Sequence, residues 1–207
     1  VTQVQTFPSP GWIVELGDAD GDDDLDLVYV AGSPSGDPPR IEVRTGDGSG
    51  HFSATRRILP AGADPNDLAL GDLDADDDLD VVAATSAGAN VWLNTGSGVF
   101  APPYAVDTGT NASDIVVDDV DGDGALDLVT GGFSSAAAVS INLGDGVGGF
   151  SAPMPHGLGP VSGFSGYTTV GVADLNGDGA LDVYGGNGTF DQVFVFLSDG
   201  LGGLGPA

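Results

Sequence analysis

The chain has no cysteine and no lysine, and its basic side chains are four arginines (Arg40, Arg44, Arg56 and Arg57) and two histidines. Without thiols there are no disulfides, no thiolate metal centres and no cysteine nucleophile. With a formal net charge of −27, nothing in the chain can neutralise a run of phosphates, so nucleic acid is excluded as a partner. No stretch of 18 apolar residues occurs, so membrane insertion through a helix is not expected. No segment carries a sustained 3.6-residue apolar period, which argues against helices. The first residue is Val1 and no signal-like segment follows, which reads as a processed or excerpted chain.

What is present points to an all-β protein. Of 207 residues, 41% are apolar, enough to build a core. The 36 glycines and 13 prolines stand between short apolar runs, as turns do between strands. The acidity has two readings, a solvating surface or carboxylates gathered around cations. Nineteen of the 31 acidic residues fall in four nine-residue windows, so the second is favoured.

Those windows open at Asp18, Asp72, Asp119 and Asp174, spaced 54, 47 and 55 residues apart. That is the length of a four-stranded unit. Each unit has the same order. An apolar run (Ile13-Val14-Glu15-Leu16, Leu68-Ala69-Leu70, Ile115-Val116-Val117, Val170-Gly171-Val172) leads into the acidic loop. A second run follows directly at 25–30, 79–84, 126–130 and 181–184, and a third at 41–43, 91–93, 139–141 and 193–196. A glycine-rich turn and Phe52, Phe100, Phe150 or Leu204 close the unit. The expected units are 12–59, 67–107, 114–155 and 168–204, forming a propeller-type array of four four-stranded blades. Leu25, Leu79, Leu126 and Leu181, each just before the last aspartate of its window, are expected to face the core. The last unit stops after Leu204, so residues 1–11 are expected to act as a seam strand that completes it, within the molecule or in a neighbour.

All four windows obey D-x-[DN]-x-D-x-x-x-D. Calcium takes six to eight oxygens, and alternate residues of a tight loop can aim three side-chain oxygens inward. The expected ligands are Asp18, Asp20, Asp22, Asp24 and Asp26; Asp72, Asp74, Asp76, Asp78 and Asp80; Asp119, Asp121, Asp123, Ala125 and Asp127; and Asp174, Asn176, Asp178, Ala180 and Asp182. Position seven of each loop (Asp24, Asp78, Ala125, Ala180) would offer its main-chain carbonyl. Position six is Gly124 and Gly179 in two loops and Asp23 and Asp77 in the others, where a left-handed conformation suits the turn. An EF-hand would need a glutamate at position twelve and a helix beyond it. Tyr29, Ala83, Thr130 and Gly185 stand there, followed by strand. About four Ca²⁺ sites are expected.

Val170-Gly171-Val172-Ala173-Asp174-Leu175-Asn176-Gly177-Asp178-Gly179-Ala180-Leu181-Asp182-Val183 resembles the FG-GAP/VCBS repeat, and Asn90-Val91-Trp92-Leu93-Asn94-Thr95-Gly96-Ser97-Gly98-Val99-Phe100 resembles its second half. The resemblance covers essentially the whole chain. It implies calcium-bearing β-propeller blades, as in integrin α-subunit heads and certain lectins. Two features depart from that family: the Gly-Ala-Pro signature after the loop is absent, and four units are fewer than its usual seven or so.

Function follows from what the loops leave over. His51 and His156 belong to no nucleophile motif and lie in polar turn segments, and no G-x-S-x-G occurs. Paired aspartates are better explained as cation ligands than as a glycosidase acid and base, and no arginine or lysine flanks the loops as a polysaccharide lyase would require. The chain is therefore read as a non-enzymatic extracellular module for adhesion or assembly, with other subunits or copies of itself head to tail as partners. The alternative is a calcium-dependent lectin, and a polysaccharide-active domain ranks third. Trp92 and Phe194 sit in third strands and are expected to pack between sheets; Trp12, Phe133 and Phe190 are further aromatics near turns, and Tyr104 and Tyr167 are the chosen ligand candidates. Asn111-Ala112-Ser113 and Asn187-Gly188-Thr189 are N-glycosylation sequons, in keeping with a secreted or cell-surface protein.

Overall fold

The structure is a computed structural model that describes residues 5–7, 13–32, 39–61, 63–134, 137–158, 167–188 and 192–206. Four antiparallel sheets follow one another along the chain, and no helix occurs among the described residues. Blade one pairs β1 (Val14–Gly17), β2 (Asp26–Ala31), β3 (Arg40–Arg44) and β4 (Arg57–Pro60) in that order. Blade two holds β5 (Pro65–Gly71), β6 (Asp80–Thr85), β7 (Gly88–Trp92) and β8 (Tyr104–Val106). Blade three holds β9 (Ala112–Asp118), β10 (Asp127–Ser134), β11 (Ala137–Asn142) and β12 (Met154–His156). Blade four shows three strands among the described residues, β13 (Thr168–Ala173), β14 (Asp182–Asn187) and β15 (Gln192–Phe196), where four were expected.

The register repeats in every blade. The acidic loop joins the first and second strands, whose last and first residues pair as Gly17 with Asp26, Gly71 with Asp80, Asp118 with Asp127 and Ala173 with Asp182. The glycine-rich turn after each third strand is pinned by a bridge, Gly46 to Phe52, Asn94 to Phe100, Gly144 to Phe150 and Ser198 to Leu204. These pairs put the four blades in one alignment, so equivalent residues can be compared directly.

Side chains alternate across each sheet, and the two faces meet different neighbours. Val28, Val30, Ile41 and Val43 of blade one pack with Leu68, Val81, Ala83 and Trp92 of blade two. Val82, Ala84, Ala89 and Val91 on the other face of blade two join Ile115 and Leu128 of blade three. Val129, Val139 and Ile141 join Val183, Phe194 and Phe196 of blade four. Trp92 and Phe194 are thus buried between sheets, as their strand positions required. Each sheet has one core per junction rather than one core for the molecule, which is how blade arrays are stabilised.

The first strands line the inner edge and meet in chain order, β1 against β5, β5 against β9 and β9 against β13. Side chains stitch them together: Asp67 Oδ2 accepts the Ile115 amide (3.0 Å) and Asp114 Oδ2 the Val170 amide (2.6 Å). Asp67 also shares a side-chain hydrogen bond with Asp114, and burial followed by that neighbour pushes its carboxyl up to about 7. Among the described residues β13 and β1 share no comparable packing, so the array is open.

Two sequence expectations are corrected here, and a third falls mostly outside the described residues. Leu25 does not face a core; it is 60% exposed on the first blade, while Leu79 and Leu126 reach the preceding blade beside Gly17 and Gly71. The leucine lies one residue before its strand, so it points along the junction rather than into its own sheet. His156 lies in β12, half-buried and 6.1 Å from the Phe196 ring, with burial holding its pKa below the usual range. Most of the seam strand, residues 1–4 and 8–11, lies outside the described residues. Gln5 clasps Phe52 through hydrogen bonds of 2.7 and 2.9 Å, and Phe7 lies 4.3 Å from the Arg44 guanidinium and stacks on Tyr29. Beneath Phe7, buried Glu42 receives Arg40 at 2.9 Å, Arg56 at 3.0 Å, Arg44 at 3.3 Å and the Tyr29 hydroxyl at 2.5 Å. Burial alone would raise the Glu42 carboxyl, but Tyr29 and the arginines hold it below the usual range.

Candidate metal centres

Each acidic loop is wound around the carboxylate of its first residue. Asp18 accepts the amides of Gly21, Asp22 and Asp23 at 2.7, 3.1 and 2.7 Å, and Asp119 those of Gly122, Asp123 and Gly124 at 2.8, 3.1 and 3.0 Å. Asp72 accepts Asp76 and Asp77, and Asp174 accepts Gly177 and Gly179. Burial opposes ionisation of Asp18, yet the converging amides hold its carboxyl below the usual range; the Gly177 and Gly179 amides do the same for Asp174. Winding this tight needs left-handed backbone at positions four and six. Gly21, Ala75, Gly122 and Gly177 take φ of 79°, 59°, 76° and 81°, and Asp23, Asp77, Gly124 and Gly179 take 68°, 71°, 92° and 90°. The aspartates at position six adopt the conformation expected of them; Ala75 at position four was not foreseen.

Position nine is a latch. Asp26, Asp80, Asp127 and Asp182 are fully buried. One oxygen accepts the amide of loop position two (Ala19 2.9, Leu73 2.8, Val120 2.9, Leu175 3.0 Å). The other accepts the amide that begins the turn after the third strand (Gly46 2.8, Asn94 2.7, Gly144 2.8, Ser198 2.9 Å). Burial pushes the carboxyls of Asp26 and Asp127 up, and that of Asp80 up to about 6.

Among the described residues, three groups of carboxylates are close enough to share a metal ion: Asp18, Asp20 and Asp22; Asp72, Asp74 and Asp80; and Asp119, Asp121 and Asp127. Within each, the ligand oxygens lie no more than 4.8 Å apart. At position three, Oδ1 of Asp20 and of Asp74 is buried and has no hydrogen-bond partner. Burial, then the neighbouring carboxylates, pushes both groups up. An unpaired oxygen among like charges is costly unless a cation completes it, so the donor set fits a hard divalent ion. In the fourth loop Asn176 stands at this position and donates to Asp178 at 2.8 Å. The side chains of Asp24 and Asp78 are outside the three groups, which leaves position seven its main-chain carbonyl.

The other candidates separate clearly. Tyr104 opens the three-residue strand β8, and its hydroxyl donates to the Gly148 carbonyl of the next blade. Sequence periodicity was too short there to reveal a three-residue strand. Tyr167 is exposed and edge-packed on Phe133 at 4.7 Å, at the end of the blades opposite the acidic loops. Trp12 and Phe190 lie outside the described residues. Asn111 is exposed, whereas Asn187 is buried in β14 with its side-chain amide directed at the Tyr167 carbonyl and the Thr168 hydroxyl (3.4 Å each). A cleft of about 440 Å³ that sequence did not signal lies between the loops of blades three and four, lined by Asp119, Gly122, Asp178, Ala180, Ser198 and Asp199.

Repeated blades with acidic first-to-second-strand loops define a propeller-type array with metal-ready loops. The FG-GAP-like repeat matches at residues 18–83, 72–130 and 119–185, each match running from one acidic loop to the next. The chain belongs to the FG-GAP-like repeat family. No curated protein matches it in sequence. Among solved structures it is similar to an Agrocybe aegerita lectin that recognises non-reducing terminal N-acetylglucosamine, with a TM-score of 0.65 and 27% identity over 92% of this chain and 50% of the lectin. This chain therefore spans about half the length of that lectin. A Photorhabdus luminescens Tc holotoxin pore aligns at a TM-score of 0.47 and 18% identity, over 92% of this chain and 11% of the toxin chain.

Proposed function

We propose that the chain is a calcium-holding, non-catalytic FG-GAP module that serves adhesion or protein assembly outside the cell. The observation that carries this reading is the buried, unpartnered Oδ1 of Asp20 and Asp74 inside groups of three carboxylates. Calcium suits these loops better than magnesium, because the donors are carboxylates and carbonyls on a winding backbone rather than a rigid octahedron. The ion would supply charge neutralisation and a fixed loop; the chain's own residues position it. Asp18, Asp72 and Asp119 anchor the loops by their amide bonds, and the latch aspartates tie each loop to its sheet. Melting temperature measured in calcium and in chelator tests this. A site occupied at 100 times its Kd contributes about 2.7 kcal/mol, so several sites are expected to raise the melting temperature by at least ~5 °C. An unchanged temperature would refute the calcium reading.

A second reading, glycan binding, is favoured by the similarity to the Agrocybe aegerita lectin at 27% identity. Among the described residues, the polar cleft between blades three and four and the exposed Tyr167, edge-packed on half-buried Phe133, suit a sugar by their chemistry, carboxylates for hydroxyls in the first and ring stacking in the second. A glycan array read with and without calcium, repeated with Tyr167→Ala and Asp178→Ala, tests it. Silence across the array, terminal N-acetylglucosamine included, would remove this reading and leave the calcium reading untouched.

A further inference from the structure

The chain holds seven asparagines, and two of them, Asn176 and Asn187, stand directly before glycine. An asparagine loses its side-chain nitrogen when the main-chain nitrogen of the next residue attacks its Cγ, which is one reason it ranks among the thermolabile residues. Glycine in that next place has no Cβ to block the approach and leaves the backbone free to turn toward it. The fold treats the two pairs oppositely. Asn187 ends β14, where it pairs with Thr168 on one side and Gln192 on the other. It is buried, and its side-chain amide points at the Tyr167 carbonyl and the Thr168 hydroxyl. A side chain that stands off an extended backbone is held away from the peptide that follows it.

Asn176 is exposed at position three of the fourth loop, outside any strand. Gly177 takes a φ of 81°, and no atom lies within 4 Å of where its Cβ would stand, so the bond is open to water. The reacting groups are already engaged in the sense the reaction needs. The Gly177 amide donates to Asp174 Oδ1 at 2.6 Å, a carboxylate placed to accept its proton. The Asn176 side-chain oxygen accepts the Asp178 amide at 2.8 Å, which polarises Cγ and folds the side chain back over its own backbone. Its nitrogen donates to Asp178 Oδ2 at 2.8 Å. At the same loop position the other blades carry Asp20, Asp74 and Asp121, each a member of a carboxylate group, and the fourth loop forms no such group among the described residues. An ionised carboxylate resists the attack that an amide permits, which sets Asn176 apart from Asp20 and Asp121 before their own glycines.

We propose that Asn176-Gly177 is a self-modification site, at which the fourth loop exchanges its position-three amide for a carboxylate. The Gly177 nitrogen bonds to Asn176 Cγ, and its proton passes by way of Asp174 to the side-chain nitrogen, which leaves as ammonia. One water then opens the five-membered imide, so the balance is one water in and one ammonia out, with no oxidant or reductant. Opening at Cγ restores the backbone and gives position 176 the aspartyl side chain of the other three loops, with one more negative charge. Opening at the main-chain carbonyl leaves an isoaspartyl linkage, which lengthens the loop backbone and undoes its winding around Asp174. A cation in the loop would engage the Asn176 oxygen and slow the attack; that dependence rests on the calcium reading, whereas the site itself does not.

The test follows the full chain during incubation in chelator at mildly alkaline pH, with folding checked by circular dichroism and a parallel sample unfolded in urea. Peptide mass spectrometry reads the amide-to-acid exchange at each asparagine and separates the aspartyl from the isoaspartyl product. Unfolded, both Asn-Gly pairs are expected to convert alike. Folded, Asn176 is expected to convert at least ~10-fold faster than Asn187, the ratio that loosening about one hydrogen bond of the sheet imposes. Isoelectric focusing should show a new acidic band at the position of Asn176→Asp. Asn176→Gln keeps the amide but would need a larger ring, so it is expected to keep its nitrogen and give no such band. An Asn176 that stays intact in the folded chain while the unfolded chain converts, equal conversion of Asn187, or the same band in Asn176→Gln would each overturn the proposal. Calcium is expected to slow the exchange at Asn176; equal rates in calcium and chelator would still support the site and count against calcium in the fourth loop alone.

Discussion

The carboxyl pair on the inner strands makes stability depend on pH in a way that one substitution should abolish. Asp67 accepts the Ile115 amide at 3.0 Å and shares a hydrogen bond with Asp114, and its carboxyl is pushed up to about 7 from 3.8. The folded state therefore holds this proton more tightly than the unfolded chain does. Its stabilising contribution is complete below about pH 4 and is lost as pH rises through about 7. A shift of about three units corresponds to a ceiling of ~4 kcal/mol. Partial solvent access and the coupling to Asp114 reduce this to ~2 kcal/mol. Asp67→Asn supplies a permanent donor toward Asp114 and keeps an oxygen for Ile115, so it imitates the protonated form. Melting temperatures of the parent and variant at pH 5, 6, 7 and 8, in chelator and at fixed ionic strength, isolate the effect from cation binding and from the general repulsion of an acidic protein. At about 2–4 °C per kcal/mol for a chain of this size, the variant should melt ~4–8 °C higher at pH 8, with a gap that narrows as pH falls and is less than half as large at pH 5. Parallel curves, or a variant that is less stable at pH 8, would refute the reasoning.

Three further outcomes follow from single contacts. Glu42→Ala leaves Arg44 buried without its carboxylate and should cost about 3–5 kcal/mol, read as a fall in denaturant midpoint; a loss under ~1 kcal/mol would show that the network is not coupled. Ala75→Gly relieves a left-handed alanine and should stabilise by ~1 kcal/mol, with a lower melting temperature as the contrary result. In calcium, Asp121→Ala should destabilise more than Asp107→Ala, because Asp121 belongs to a carboxylate group and Asp107 is exposed outside the loops; equal losses would point to a merely acidic surface.

Much of this architecture is legible in the sequence because the blades repeat one pattern. The windows at Asp18, Asp72, Asp119 and Asp174 mark the first-to-second-strand loops, and Phe52, Phe100, Phe150 and Leu204 all form the expected turn bridges. Position three of the loops was chosen for its spacing, and Asp20 and Asp74 stand there with unpaired oxygens. What escaped the sequence lies between blades. Leu25 and Leu79 occupy the same place in the repeat, but only Leu79 has a preceding blade to meet. Tyr104 reads as a turn aromatic because its strand is three residues long, and its partner Gly148 is 44 residues away. Asn187 matches a glycosylation motif regardless of its burial. A repeat reveals its own unit well; it does not say which units have neighbours.

The latch aspartates carry a consequence for how the protein would respond to its ionic surroundings. Each joins one loop to the end of one third strand of the same blade, through two amides that never cross to another blade. A cation entering a loop would therefore tighten that blade first and reach its neighbours through the apolar junctions and the few hydrogen bonds that cross them, such as Asn94 Nδ2 to the Ala19 carbonyl and the Gly148 amide to the Leu73 carbonyl. The loops also differ in their third and sixth residues, so they would fill at different concentrations. Such a chain behaves as a rheostat rather than a switch: as cation is withdrawn, it should loosen blade by blade, and the order of loosening would record the order of affinity.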